Sequence, residues 1–134
     1  MITNNNLFVT CWNGNRIHEY TNTGTLVQQI SLQSDITHPT HVIQLSNGNY
    51  GVTHPHRYCE VDVNGRVVRS FGGNTAGGGD GQLNEPHCFT VDQRGNVFIA
   101  DHDNNRILVL DSRTFTAKSL SIDVKLQWPY SVHW

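Results

Sequence analysis

The sequence predicts an all-β chain made of repeated four-stranded antiparallel units, on three observations. First, Asn96–Leu110, NVFIADHDNNRILVL, aligns without a gap on Asn6–Tyr20, NLFVTCWNGNRIHEY, 90 residues earlier. Second, Pro39, Gly48 and Asn49 each precede Pro86, Gly95 and Asn96 by 47 residues, and Pro129 follows Pro86 by 43. Third, the apolar runs are short, rich in Val, Ile, Leu and Phe, and bounded by Gly, Asn and Asp, with no helical period sustained over three turns. Short strands recurring every 43 to 47 residues are the pattern of a propeller blade.

The strands follow in chain order, named a to d within each copy. The first copy supplies b, c and d at Leu7–Thr10, Ile17–Tyr20 and Leu26–Ile30. The second supplies all four, at His41–Leu45, Tyr50–Thr53, Cys59–Asp62 and Val67–Ser70. The third has Cys88–Val91, Val97–Ala100, Ile107–Leu110 and a short Ala117–Ser119, and a further strand a is expected over Ser131–Trp134. The turns agree with these assignments. Asn22-Thr23-Gly24, Ser46-Asn47-Gly48, Val63-Asn64-Gly65 and Gln93-Arg94-Gly95 each put Gly where a hairpin requires positive φ. Pro39 and Pro86 fit the start of strand a, where no ladder donor is needed.

The expected blades are 1–36, lacking strand a, then 37–83 and 84–127, with the start of another at 128–134. Closed propellers have about four to eight blades, so about three make an incomplete one. The expectation is a piece of a longer propeller, or a chain completed by self-association through open strand edges and uncovered apolar faces.

Composition narrows the function. Of 134 residues, 15% are charged, against about 25% in an average globular chain, and the formal net charge is −2. That balance opposes nonspecific attraction to nucleic acid, which needs dense Lys and Arg. Cys11, Cys59 and Cys88 are odd in number and match neither a zinc pattern nor a disulfide framework. They are expected to be buried or strand-facing thiols in a reducing, cytoplasmic compartment. Met1 is followed by ITNNN, which has neither the basic nor the apolar region of a secretory signal, and no apolar run reaches membrane-spanning length. No membrane partner is expected.

The third copy resembles the NHL repeat over essentially its whole length. The pattern runs through Phe71-Gly72-Gly73, the loop to Gly81-Gln82, Pro86-His87, Val91-Asp92, Gly95-Asn96, Ala100-Asp101 and Asn104-Asn105-Arg106-Ile107. The first copy keeps Asn15-Arg16-Ile17 but has Cys11 at the Asp position. The second keeps Pro39 and Gly48-Asn49 but has His54 there, with a shorter b–c connection. The resemblance implies a propeller used for protein–protein interaction, often as a scaffold that recruits substrates in tripartite-motif ubiquitin ligases. Any ligase chemistry would belong to a RING domain, and no RING or B-box pattern occurs here, so the chain itself is expected not to be an enzyme. Some relatives read single-stranded RNA on a basic face. Arg16, Arg57 and Arg106 occupy comparable b–c positions, which keeps RNA as the alternative partner.

Other chemistry is poorly supported. Gly72–Gly81, GGNTAGGGDG, lacks the Gly-Lys-Ser/Thr ending of a phosphate-binding loop and is expected to be a flexible connection between blades. Eight histidines are many for this length, but His38-Pro39-Thr40-His41 and His54-Pro55-His56 lack a third ligand at metal-site spacing. They are expected in polar loops and strand edges, with no metal or other cofactor. The peptidyl-hydroxyglycine amidating lyases are similar propellers with a catalytic Tyr near the Asn-x-Arg element. Here His102-Asp103 stands at that place, which disfavours the lyase alternative.

Two groups of residues remain. Pro39, Gly48, Pro86, Gly95, Asp101 and Arg106 are expected to build the blades. A carboxylate–guanidinium pair between Asp101, closing strand b, and Arg106, opening strand c, is expected to pin the loop between them. Trp12, Asn13, Arg16, His56, Arg57, His102, Asp103 and Asn104 lie at or beside the b–c loops, where the copies differ most, and are the expected partner contacts.

Overall fold

The computed structural model describes residues 5–73, 75–79, 81–120 and 125–133. The fold is that of antiparallel propeller blades, with three sheets among the described residues. The first holds β1 (Leu7–Cys11), β2 (Arg16–Tyr20) and β3 (Leu26–Ser31), in that order. The second holds β4 (His41–Gln44), β5 (Tyr50–His54), β6 (Arg57–Val61) and β7 (Val67–Gly72), in that order. The third holds β8 (Pro86–Val91), β9 (Val97–Asp101), β10 (Arg106–Leu110) and β11 (Ala117–Ser119), also in sequence order. These bounds lie within two residues of the sequence-based ones. Gly48 and Gly95 sit at φ 90° and 86°, as the turn residues require. Among the described residues no helix is long and apolar enough to cross a membrane.

The strand expected over Ser131–Trp134 does not form across the described residues 131–133, and Trp134 lies outside them. The first strands of the other copies exist because each pairs with its own second strand, β4 on β5 and β8 on β9. The described residues after Pro129 include no second strand. Side chains hold this stretch instead: the Trp128 N–H donates to Asn105 Oδ1 at 2.8 Å, and the Cys88 thiol to the Val132 carbonyl at 3.7 Å.

The chain divides into two compact units, Met1–His54 with Cys59–Ser70, and Pro55–Tyr58 with Phe71–Trp134. The first unit has a continuous core of Ile17, Ile30, Leu32, Ile36, Tyr50, Val52, Cys59 and Val61, flanked by Phe8, Val42 and Val67. Period-two alternation explains it. Tyr50, Val52 and His54 share one face of β5, and Ile17 comes from β2 opposite Ile30 of β3. The Phe8 and Tyr50 rings meet at 5.5 Å. In the second unit Tyr58 packs edge-on against Phe89 at 5.0 Å, and Val97, Ile99, Leu108 and Leu110 are buried. The register sets Ile99 beside Leu108 and Val97 beside Leu110, so these four share one face with Asp101 and Arg106.

Among the described residues no disulfide joins the cysteines; Cys59 is buried and Cys11 and Cys88 are half-buried. His54 departs from the expectation of a polar edge histidine. It is the buried last residue of β5, with Nε2 3.3 Å from Cys59 Sγ. It shares a face of β5 with Tyr50 and Val52, and the residues packed over that face bury it.

Candidate functional site

The b–c connection of the third sheet is organised around one buried carboxylate. Asp101 has no exposed surface. Its Oδ1 accepts the Asn84 backbone N–H at 2.8 Å, and its Oδ2 accepts Asn104 Nδ2 and Arg106 Nε, each at 2.8 Å. The ladder places Asp101 directly opposite Arg106, so hairpin geometry brings the ions together. Between them His102–Asn104 form one 3₁₀ turn, ended by Asn105 in the left-handed region at φ 52°. The Asp103 N–H donates to the Asn84 carbonyl at 3.0 Å, which ties the turn down a second time.

This network also reaches Gly77 and Gly78 of the glycine-rich segment and Gln82 beyond it. Arg106 Nη2 donates to the Gln82 carbonyl at 2.8 Å, and Nη1 to that of Gly78 at 3.4 Å. Asn104 Nδ2 donates to the Gly77 carbonyl at 2.8 Å. Glycines leave their carbonyls open to approach, and a guanidinium with five donors can satisfy several at once. Gly81 and Gly72 are described; Asn74 and Asp80 lie outside the described residues.

Above this base is a group of rings. His102 Nδ1 lies 2.5 Å from Asp103 Oδ1. The His102 ring meets His87 at 4.7 Å and Tyr130 at 4.5 Å, both edge-on, and His87 meets Tyr130 at 4.7 Å. Burial lowers the pKa of His87, and the neighbouring His102 lowers it further, against a partial offset from Glu85 and Asp103. Tyr130 and Trp128 are each 64% exposed.

The first copy repeats the plan with other chemistry. Cys11 stands opposite Arg16 in the register that Asp101 and Arg106 occupy, so Arg16 has no carboxylate across the hairpin. Asn15 takes the left-handed conformation of Asn105, at φ 48°. Trp12 is 56% exposed, with its ring 4.2 Å from that of His38, and Asn13 beside it is exposed. In the second copy His56 is the left-handed residue, at φ 66°, and His56 and Arg57 are half-buried.

Of the residues singled out from sequence, Trp12, Asn13 and Arg16 fall in the first unit, and His56, Arg57, His102, Asp103 and Asn104 in the second. His102 and Asp103 are together at one site. Asn104 faces inward, with its amide spent on Gly77 and Asp101. Sequence reasoning did not anticipate the backbone conformation of His38, Glu85 and Trp128. Each precedes one of the repeated prolines, and each adopts positive φ, at 52°, 55° and 48°. A pre-proline residue ordinarily favours extended backbone, so three left-handed ones in register mark a built feature. The visible signal was the recurrence of X-Pro at 39, 86 and 129. The approach of His87 to Tyr130 was not legible either, because it joins residues far apart in sequence.

Among the described residues no group of three or more His, Cys, Asp or Glu could hold a metal ion.

Comparison with known proteins agrees with this architecture. The family model described as NHL repeat matches residues 83–110, the segment that contains Asp101 and Arg106. Protein lin-41 of Caenorhabditis elegans is 43% identical over 54 residues, which are 40% of this chain and 4% of that protein. A Bacteroides caccae protein of unknown function superposes with a TM-score of 0.67 at 19% identity, over 97% of this chain and 51% of the other. Virginiamycin B lyase from Staphylococcus aureus superposes with a TM-score of 0.67 at 17% identity, over 94% of this chain and 41% of the other. Such low identities show a shared fold alone. The chain thus spans about half or less of the proteins it resembles.

Proposed function

We propose that this chain, which matches the NHL repeat over residues 83–110, is a non-catalytic interaction module of an NHL-type propeller whose b–c loops recruit a protein partner. One observation carries this reading. The Asp101 network fixes the backbone of the third b–c loop from below, while the loops and the stretches beside them present large rings to solvent, Trp12 in one unit and Trp128 and Tyr130 in the other. Rigid backbone with exposed aromatic side chains is the composition of an interaction hot spot, because little entropy is lost when such a surface is covered. Within the parent protein, recruitment of a ubiquitination substrate in the cytoplasm would be one use of such a module.

The lyase reading finds no support at His102-Asp103, where His102 is engaged by Asp103, His87 and Tyr130. The RNA reading is weakened because Arg106 is spent on Asp101 and backbone carbonyls rather than presented to a phosphate.

The test is affinity capture with the wild-type chain, with Trp12→Ala, with a Trp128→Ala/Tyr130→Ala variant, and with Gln93→Ala in an a–b turn as control. Loss of the same captured protein from the loop variants, but not from Gln93→Ala, is the expected result. An identical captured set from all four chains would sink the proposal. Salt-sensitive filter binding of single-stranded RNA by the wild-type chain would replace it with the RNA reading.

A further inference from the structure

The three copies bury equivalent residues differently, and the differences fall on two faces. The first face is carried by the b strands. Leu7 and Val9 in the first copy correspond to Tyr50 and Val52 in the second and to Val97 and Ile99 in the third. Tyr50, Val52, Val97 and Ile99 are all at most 2% exposed, whereas Leu7 is 55% and Val9 44% exposed. Leu26, across the same sheet, is 45% exposed.

The second face is the reverse one, carried by strands c and d. Ile17 stands opposite Ile30, and both are buried in the core that covers Tyr50 and Val52. Tyr58 occupies the position of Ile17 in the second copy and packs on Phe89. In the third copy that position is Ile107, whose carbonyl accepts the Leu120 N–H at 2.8 Å, so Leu120 lies across from it as Ile30 does from Ile17. Ile107 is only half-buried and Leu120 is 40% exposed. Among the described residues, Leu7 and Val9 thus mark an exposed face of the first kind and Leu120 one of the second, and the chemistry by which such faces pair is visible within the chain.

We propose that the Ile107–Leu120 face of one copy of this chain docks on the Leu7–Val9 face of a second copy, repeating the contact by which Ile17 and Ile30 cover Tyr50 and Val52. The contact is heterologous, joining two different patches, and its occupant is specified by the internal precedent rather than by exposure alone. The patches centre on aliphatic side chains, Leu7 and Val9 on one and Ile107 and Leu120 on the other, with Tyr20 and His18 beside the first pair and Lys118 on the second face, and burial of the aliphatic area drives the association. This inference is independent of the loop-recruitment reading, which uses other residues.

The heterologous geometry gives a test that folding defects do not mimic. Sedimentation velocity should show the wild-type chain self-associating. Leu7→Glu/Val9→Glu on one face, and Leu120→Glu on the other, should each weaken this by about tenfold or more, with β-sheet circular dichroism retained. Mixing the two variants should restore a one-to-one complex, because each keeps the face the other has lost. A wild-type chain that stays monomeric overturns the proposal. So does continued self-association of Leu120→Glu, which would indicate a symmetric contact through Leu7 and Val9, and so does failure of the mixed variants to pair. Ile107→Thr provides a second lesion on the same face and should behave as Leu120→Glu does.

Discussion

Arg106 Nε lies 2.8 Å from Oδ2 of an Asp101 side chain that has no contact with solvent. The pair closes the hairpin between β9 and β10, and through Arg106 and Asn104 it also holds Gly77, Gly78 and Gln82. Arg106→Ala leaves a buried carboxylate with two of its three donors and frees the glycine-rich segment. The expected loss is about 3 kcal/mol of unfolding free energy, measured in urea. Asp101→Ala combined with Arg106→Ala should cost less than the sum of the two single changes, because the pair acts as one unit. Strict additivity in this cycle would show that the two residues do not cooperate.

The first copy offers the converse experiment. Cys11 faces Arg16 where Asp101 faces Arg106. Cys11→Asp should place a carboxylate opposite an exposed guanidinium and stabilise the chain by about 0.5 kcal/mol, the scale of a surface ion pair. Raising the salt concentration should erase the gain. A gain that survives in high salt would point to a cause other than the ion pair.

Two turn glycines should differ sharply in their response to alanine. Both have positive φ, +90° at Gly48 and +81° at Gly65. A Cβ at Gly48 would meet nothing within 4 Å, while one at Gly65 would fall 1.9 Å from the Ser31 carbonyl oxygen. Gly48→Ala is therefore expected to cost about 1 kcal/mol, the left-handed penalty alone. Gly65→Ala should cost several times as much, because backbone must move. Comparable denaturation midpoints for the two variants would contradict this.

His87 makes the chain sensitive to mild acid. Burial and the adjacent His102 lower its pKa in the folded chain, so it sits below the value of about 6.5 expected on unfolding. Between those two values the unfolded chain binds more protons, so stability rises with pH. The contribution is whole above about 6.5 and is lost as pH falls through the folded pKa. Proton NMR of the imidazoles should show His87 titrating below the ordinary range, and His102→Gln should raise its pKa. His87→Gln should flatten the fall in stability on mild acidification. A His87 that titrates normally in the wild-type chain would remove the basis for this prediction.

Much of the fold was legible because it depends on local chemistry. The turn positions of Gly48 and Gly95, the alternation in Val97–Asp101 and the five-residue spacing from Asp101 to Arg106 are facts about neighbours along the chain. The glycine-rich segment was not legible. Its composition says nothing of its partners, and the contact of Gly78 with Arg106 joins residues more than twenty apart in sequence. His54 was misplaced for a related reason: its residue type suggests an edge, but the tertiary packing over Tyr50 and Val52 covers the face of β5 that it shares.

The sequence by itself determined the repeated strands, their turns and the Asp101–Arg106 clamp, since a hairpin needs only adjacent segments and period-two geometry. Tertiary structure alone decided which copies of an equivalent residue are covered and which rings meet. Leu7 and Val97 occupy the same place in their repeats and carry similar side chains. One is 55% exposed and the other 1%, because burial depends on what packs against a strand and not on the strand's own residues.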